Sequence, residues 1–162
     1  MKTILLLSSM LTSCFLSAQD IVFKSIELDS LIWQKINEYR ISKHVKPFES
    51  FEYAEIRAYS YDLTYNNSKL NTIKHSGDAF DIYNVECIYA LQRTSPENFL
   101  NDIENKNWEY LANRVVSAWI KSSAHEKGIS SDQFTKATVT SIITIDSNTG
   151  NYRFDVSYHA IY

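Results

Sequence analysis

Apolar residues recur every three or four positions in three parts of the chain, the spacing that places them on one face of an α-helix. This spacing predicts a first helix over about residues 29–43 and a second over about 51–65, which Asn66–Ser68 are expected to end. A third helix is predicted over about 94–121, because a Thr-Ser-Pro sequence precedes a long apolar stripe. The stripe closes on Trp119, which we therefore expect in the core.

Alternating side chains predict strands elsewhere in the chain. In residues 85–91, the side chains on both faces of the predicted strand are largely apolar, with Glu86 as the exception. This pattern is typical of a buried strand covered on both faces. Residues 137–145 and 152–160 each alternate and flank a turn at 146–150, which predicts a β-hairpin. Three strands with three or four helices indicate a single α+β domain.

The start of the chain has the features of a secretory signal peptide. Residues 1–18 combine one positive charge at Lys2 with an apolar run and a small-residue end, so the mature domain is expected to be 19–162 and to be secreted or periplasmic. A lipoprotein anchored through Cys14 is the alternative, since small residues precede that cysteine. The apolar pair Phe15–Leu16 continues the run beyond it and favours the soluble form.

Composition narrows the classes of function. The 162 residues carry 16 Lys and Arg against 19 Asp and Glu, and no basic run occurs, so a nucleic-acid partner is not expected. Three glycines in the whole chain leave no glycine-rich phosphate loop. The apolar run at the start is too short for a transmembrane helix. Cleavage would leave Cys87 as the one thiol, so the 11 Tyr, 8 Phe and 3 Trp must stabilise the core without an internal disulfide.

Candidate chemistry lies at His75–Ser76, at Glu86 and at His125, beyond the predicted third helix. Each alone is more typical of an ordinary hydrogen-bonded side chain than of a functional one. Their order, however, resembles the CAP or SCP superfamily of cysteine-rich secretory, antigen-five and pathogenesis-related proteins. Residues 36–40 are similar to its first-helix pattern, His75–Ser76 to its His-Ser pair, Val85–Ile88 to its Gly-Glu-Asn-Ile, and Val116–His125 to its Trp-to-His segment.

The resemblance implies a three-layer α-β-α sandwich with a small, mainly antiparallel sheet. It also implies a cleft formed by five residues of this sequence: His75, Ser76, Glu86, Ser122 and His125. Two imidazoles and one carboxylate, from His75, Glu86 and His125, are a ligand set that suits zinc with water in the fourth position. The sequence departs from the family pattern at Val85 and Cys87, at Ser123–Ala124 before the histidine, and at Ser122, where many relatives have a second Glu.

The function implied by the resemblance is that of a secreted binding or interaction module. Its cleft would take a divalent metal or a small apolar ligand, and the partner could be a lipid, sterol, glycan or protein. Five tyrosines are candidates to present flat surfaces near this cleft: Tyr59, Tyr61, Tyr65, Tyr83 and Tyr89. A metal-dependent or acid-base hydrolase using the same residues is the alternative, less favoured because no nucleophile is identified. His44 and His159 are expected to lie outside the site.

Overall fold

A computed structural model describes residues 21–49, 54–76, 85–93, 105 and 107–162. The predicted signal peptide, Tyr83 and the first part of the predicted third helix lie outside the described residues. Among the described residues no helix is long and apolar enough to cross a membrane.

Four helices and four strands make up the described structure. The helices are α1 (Ile26–Ser42), α2 (Ala54–Lys69), α3 (Trp108–Lys121) and α4 (Ser123–Ser130). The strands are β1 (Ile21–Phe23), β2 (Val85–Arg93), β3 (Lys136–Ile145) and β4 (Tyr152–Ile161). Every neighbouring pair in the sheet is antiparallel, and the order is β1-β3-β4-β2. The predicted α+β class with a small antiparallel sheet is confirmed.

One face of the sheet carries the hydrophobic core. Alternate residues of β3 and β4 pack there with α1, α3 and α4, and Trp119 of α3 is 1% exposed, as predicted. Its indole N–H donates to the Ile88 carbonyl of β2 at 3.2 Å. Burial of this large ring therefore joins α3 to the end strand of the described sheet.

The opposite face of the sheet is polar and is covered by α2. The buried polar residues of β3 and β4 on this face are Thr138, Thr140, Thr144, Arg153, Asp155, Ser157 and His159. Thr64 of α2 donates to the Ser157 hydroxyl at 2.8 Å, and Ser68 bonds with Thr144. With helices on both faces, the sheet is the middle layer of an α-β-α sandwich.

Helix boundaries differ from the predictions at three places. α1 begins three residues before position 29, because the Ser25 hydroxyl caps the Leu28 N–H at 3.2 Å. α2 continues to Lys69, so the expectation that Asn66–Ser68 end it is wrong. α3 begins at Trp108, after an Asn107 cap that the sequence pattern did not indicate.

Two short elements were not predicted, and one predicted strand is less enclosed than expected. β1 contributes three residues that pair with Ile143–Ile145 of β3, and α4 follows α3 directly. β2 lies at one end of the described sheet, and several of its side chains are only half-buried. The position of the strand predicted at 85–91 is confirmed, but its expected burial holds only in part, at Cys87 and Ile88.

Candidate functional site

The segment that carries His75 is fixed to α2 by hydrogen bonds. Asn67 of α2 is buried, and its amide donates to the Lys74 carbonyl at 3.0 Å and accepts from the Lys74 N–H at 3.1 Å. The Thr72 N–H donates to the Asn67 carbonyl at 3.0 Å, and the buried Arg153 donates to the Thr72 carbonyl. These bonds place His75 and Ser76 beside the sheet.

Glu86 is the centre of the site. The antiparallel register of β2 and β4 sets it opposite His159, whose Nε2 lies 3.2 Å from Glu86 Oε1. The Ser76 hydroxyl donates to the same oxygen at 2.8 Å, while the Ser76 N–H and His75 Nδ1 bond to Oε2. We name these four residues, His75, Ser76, Glu86 and His159, the Glu86 cluster.

The electrostatics of the Glu86 cluster favour an ionised carboxylate. Burial of Glu86 by itself raises its pKa, but hydrogen bonds from His159, Ser76 and His75 outweigh burial and bring the pKa down to about 2. His159 is fully buried, and desolvation lowers its pKa although Glu86 opposes the shift. At neutral pH the cluster therefore holds a buried negative charge surrounded by donors.

His125 lies on α4, beside the cluster rather than in it. Its carbonyl accepts a weak bond from the Cys87 thiol at 3.9 Å, while its ring makes no hydrogen bond or ion pair with Glu86 among the described residues. Burial lowers the pKa of His125, and the charge of His75 lowers it further, which places the two rings within electrostatic range. Ser122 lies between α3 and α4, as the C-cap of α3 and the N-cap of α4.

α4 approaches β2 closely because it contains Gly128. A Cβ at position 128 would lie 2.7 Å from Cγ1 of Val85, and Val85 is the residue next to Glu86 in the sequence. The absence of a side chain at Gly128 therefore allows α4 to pack this closely against β2.

The structure thus brings together three of the five predicted cleft residues, His75, Ser76 and Glu86, and adds one that the sequence analysis missed. The expectation that His159 lies outside the group is wrong, since it contacts Glu86 directly. His44 follows α1 with a φ of 61°, as an exposed residue.

A pocket of about 370 Å³ opens beside the cluster, and we name it the His75 pocket. Its lining residues are Tyr59, Asp62, Leu63, Asn66, Asn67, Leu70, Thr72, Lys74, His75 and Ser76. Tyr59 also packs edge-on against His159, with ring centroids 5.9 Å apart. Leu70 at the pocket is 74% exposed. The pocket therefore combines an accessible apolar wall with the two polar residues of the cluster.

The other tyrosines do not share this location. Tyr61 and Tyr65 stack with each other at 6.0 Å, and Tyr61 lines a different pocket. Tyr89 packs against Phe154 in the hydrophobic core, on the face of the sheet opposite to Glu86. Of the five tyrosines proposed from sequence, Tyr59 alone lines the His75 pocket among those that the structure describes.

The oxygens of Glu86 already have hydrogen-bond partners, which bears on metal binding. Among the described residues no group of three or more His, Cys, Asp or Glu side chains could hold one. The Glu86 oxygens already accept from His75, Ser76 and His159. A metal ion at Glu86 would have to replace these hydrogen bonds, which predicts weak binding at most.

The arrangement also bears on catalysis. Ser76 donates its hydroxyl proton to Glu86 rather than to a histidine, and a carboxylate with a pKa of about 2 is a weak base at neutral pH. Burial raises the pKa of the Cys87 thiol, which disfavours the reactive thiolate. Among the described contacts, none activates Ser76 or Cys87 as a nucleophile.

No family model and no curated protein matches the sequence. Among solved structures, the fold is similar to that of an outer surface protein from Borrelia burgdorferi, with a TM-score of 0.56. The similarity covers 88% of this chain and 100% of that protein at 15% sequence identity. At this level of identity the comparison establishes a common fold.

Proposed function

We propose that this chain is an exported, CAP-like binding module whose His75 pocket receives a small ligand with an apolar part. The observation that carries the proposal is the position of His75 and Ser76, which Glu86 holds at the wall of a pocket of about 370 Å³. A volume of this size is within the range of small-molecule sites.

The lining of the pocket defines the ligand. Leu63 and Leu70 offer apolar surface, while His75 and Ser76 are among the polar residues of the lining. A ligand with an aliphatic or flat apolar body and one hydrogen-bonding group matches this distribution. Lipids and sterols have that chemistry, and a glycan or a protein side chain could present it in part.

Export is part of the proposal. The signal-peptide pattern of residues 1–18 supports it, with a lipid anchor at Cys14 as the alternative. The similar fold of a Borrelia outer surface protein gives further support for a location at or beyond the cell surface.

Binding is favoured over hydrolysis by the direction of one hydrogen bond. Hydrolysis through Ser76 needs a base able to take its proton, and the group that faces Ser76 is the ionised Glu86 with its low pKa. A hydrolase therefore has less support from this geometry than a binding protein.

Fluorescence of N-phenyl-1-naphthylamine, a neutral apolar dye, tests the pocket. Leu70→Ser is expected to weaken dye binding roughly fivefold, because about 1 kcal/mol of apolar contact is lost. Ile41→Ser is the matched control, since Ile41 is 58% exposed on α1 and does not line the pocket. Equal binding by both variants and the unmodified protein would contradict the proposal.

Zinc binding remains a proposal of the family resemblance and has its own test. We expect at most weak binding, so zinc should raise the melting temperature slightly and a chelator should reverse the rise. In the set that the resemblance implies, His75→Ala and His125→Ala should abolish the rise and His44→Ala should not. Loss of the rise in His159→Ala but not in His125→Ala would mean that zinc binds through the Glu86 cluster instead. Ser122→Glu should tighten binding. The same effect from all four alanine variants would indicate adventitious surface binding.

A further inference from the structure

A second and larger pocket lies away from the Glu86 cluster. It has a volume of about 540 Å³ and opens where α1, α2 and β3 meet. Its lining contains Lys24, Ile26, Asp29, Arg57, Tyr61 and Asp62, and none of the four residues of the Glu86 cluster. We name it the Lys24 pocket.

A buried carboxylate forms one wall of the Lys24 pocket. Asp29 of α1 is 3% exposed. Its carboxylate accepts from the Ser141 N–H at 2.7 Å and from Arg57 at 2.9 Å. Arg57 also donates to the Val139 carbonyl at 3.3 Å. The carboxylate is therefore fixed between two helices and the edge of β3, and cannot turn away from the pocket.

These partners do not fully compensate the buried charge. Burial raises the pKa of Asp29 to about 6, although hydrogen bonds from Ser141 and the charge of Arg57 act in the opposite direction. The ionised form is thus less stable than it is in water, and an additional positive charge in the pocket would stabilise it. Asp62 of α2 also lines the pocket and adds a second carboxylate.

A cation of the protein already occupies the aromatic part of the pocket. The Lys24 ammonium lies 3.6 Å from the centroid of the Tyr61 ring, within the range of a cation–π interaction. Lys24 is an exposed side chain on the short connection between β1 and α1, so it can leave the ring without unfolding either element. Its position shows which charge this surface attracts.

We propose that the Lys24 pocket binds small organic ammonium ions with an apolar body, and that Lys24 is an internal competitor for the site. The ligand ammonium would replace that of Lys24 over Tyr61, near Asp29 and Asp62, and its apolar part would contact Ile26. A carboxylate ligand would lack the cation–π contact with Tyr61, and Asp29 and Asp62 would repel it.

An NMR titration tests the proposal, with amide chemical shifts reporting where each probe binds. The probes are n-hexylammonium and n-hexanoate, which share a chain length and differ in charge. Only n-hexylammonium should bind at the Lys24 pocket. Lys24→Gln should tighten its binding by roughly twofold to fivefold, since a competing cation–π contact is removed. Lys69→Gln is the matched control, because Lys69 lies 5.6 Å from the ring of Tyr65 and does not line this pocket.

Tyr61→Leu should weaken the binding of n-hexylammonium, and binding should also weaken as the pH falls below about 6 and Asp29 takes up a proton. The charged groups that line this pocket with Asp29 are Lys24, Arg57 and Asp62. Equal binding of n-hexanoate, weaker binding by Lys24→Gln, or shifts confined to the His75 pocket would overturn the proposal.

Discussion

Asn67 binds both backbone polar groups of Lys74, donating to the carbonyl at 3.0 Å and accepting from the N–H at 3.1 Å. One buried side chain of α2 thereby replaces the strand or helix partner that Lys74 lacks. His75 follows directly, so its position relative to Glu86 depends on this contact.

Replacing Asn67 by Ala is expected to loosen the segment that carries His75. Two hydrogen bonds are lost and two backbone groups lose their partner, so the free energy of unfolding should fall by about 1–3 kcal/mol. Hydrogen exchange of the Lys74 amide should become faster. Asn66→Ala is the control, because Asn66 is exposed on the same helix. Unchanged protection of the Lys74 amide in Asn67→Ala would contradict this role.

Glu86→Gln tests the charge of the Glu86 cluster through pH. The pKa of Glu86 is lowered from an ordinary 4.5 to about 2, so its ionisation stabilises the fold above pH 4.5 and this stability is lost as the pH falls towards 2. The unmodified protein should exceed the variant in unfolding free energy by on the order of 2 kcal/mol above pH 4.5. Urea unfolding at pH 7, 4.5 and 3 measures the difference. A difference that stays constant across these values would mean that Glu86 is not an ionised, bonded carboxylate in the folded state.

The sequence pattern predicted elements better than their ends. Apolar periodicity located α1, α2, α3 and the hairpin, because burial on one face determines both the pattern and the packing. It failed at Asn66–Ser68, where residues typical of a helix end remain helical. Asn67 and Ser68 are buried there and bond to Lys74 and Thr144, so tertiary contacts satisfy the polar groups that otherwise favour a turn.

His159 shows why part of the site could not be predicted. Its place on the polar face of β4 follows from the alternation, but its partner follows from the register of β2 against β4. These strands are far apart in sequence and no turn joins them, so no local pattern specifies which residue lies opposite Glu86. His75 and Ser76 were found through the family resemblance rather than through periodicity.

Trp119→Ala is expected to destabilise the protein by about 3–5 kcal/mol, since a large ring that is almost fully buried leaves a cavity between α3 and the sheet. Trp119→Phe keeps most of the packing and loses the bond to the Ile88 carbonyl, so its cost should be clearly smaller. Urea unfolding measures both. Tyr110→Ala, at a residue of the same helix that is 49% exposed, serves as the surface control. A cost below about 1 kcal/mol for Trp119→Ala would contradict its place in the core.

Gly128→Ala tests the contact that brings α4 against β2. Alanine normally stabilises a helix interior by about 1 kcal/mol relative to glycine. Here its Cβ would lie 2.7 Å from Val85 Cγ1, and the branched valine has few rotamers with which to give way. The clash should outweigh the gain, and the net loss of stability should be about 1–2 kcal/mol.

A double-mutant cycle with Val85→Ala isolates this contact. In the Val85→Ala background the clash is gone, so Gly128→Ala should be neutral or stabilising by up to about 1 kcal/mol. The NMR titration of His125 gives an independent measurement. Its pKa is lowered by burial and by His75, so a displaced α4 should bring it back towards 6.5 in Gly128→Ala but not in the double variant. The same cost for Gly128→Ala in both backgrounds, with no change in the titration of His125, would show that Val85 does not determine the distance between α4 and the Glu86 cluster.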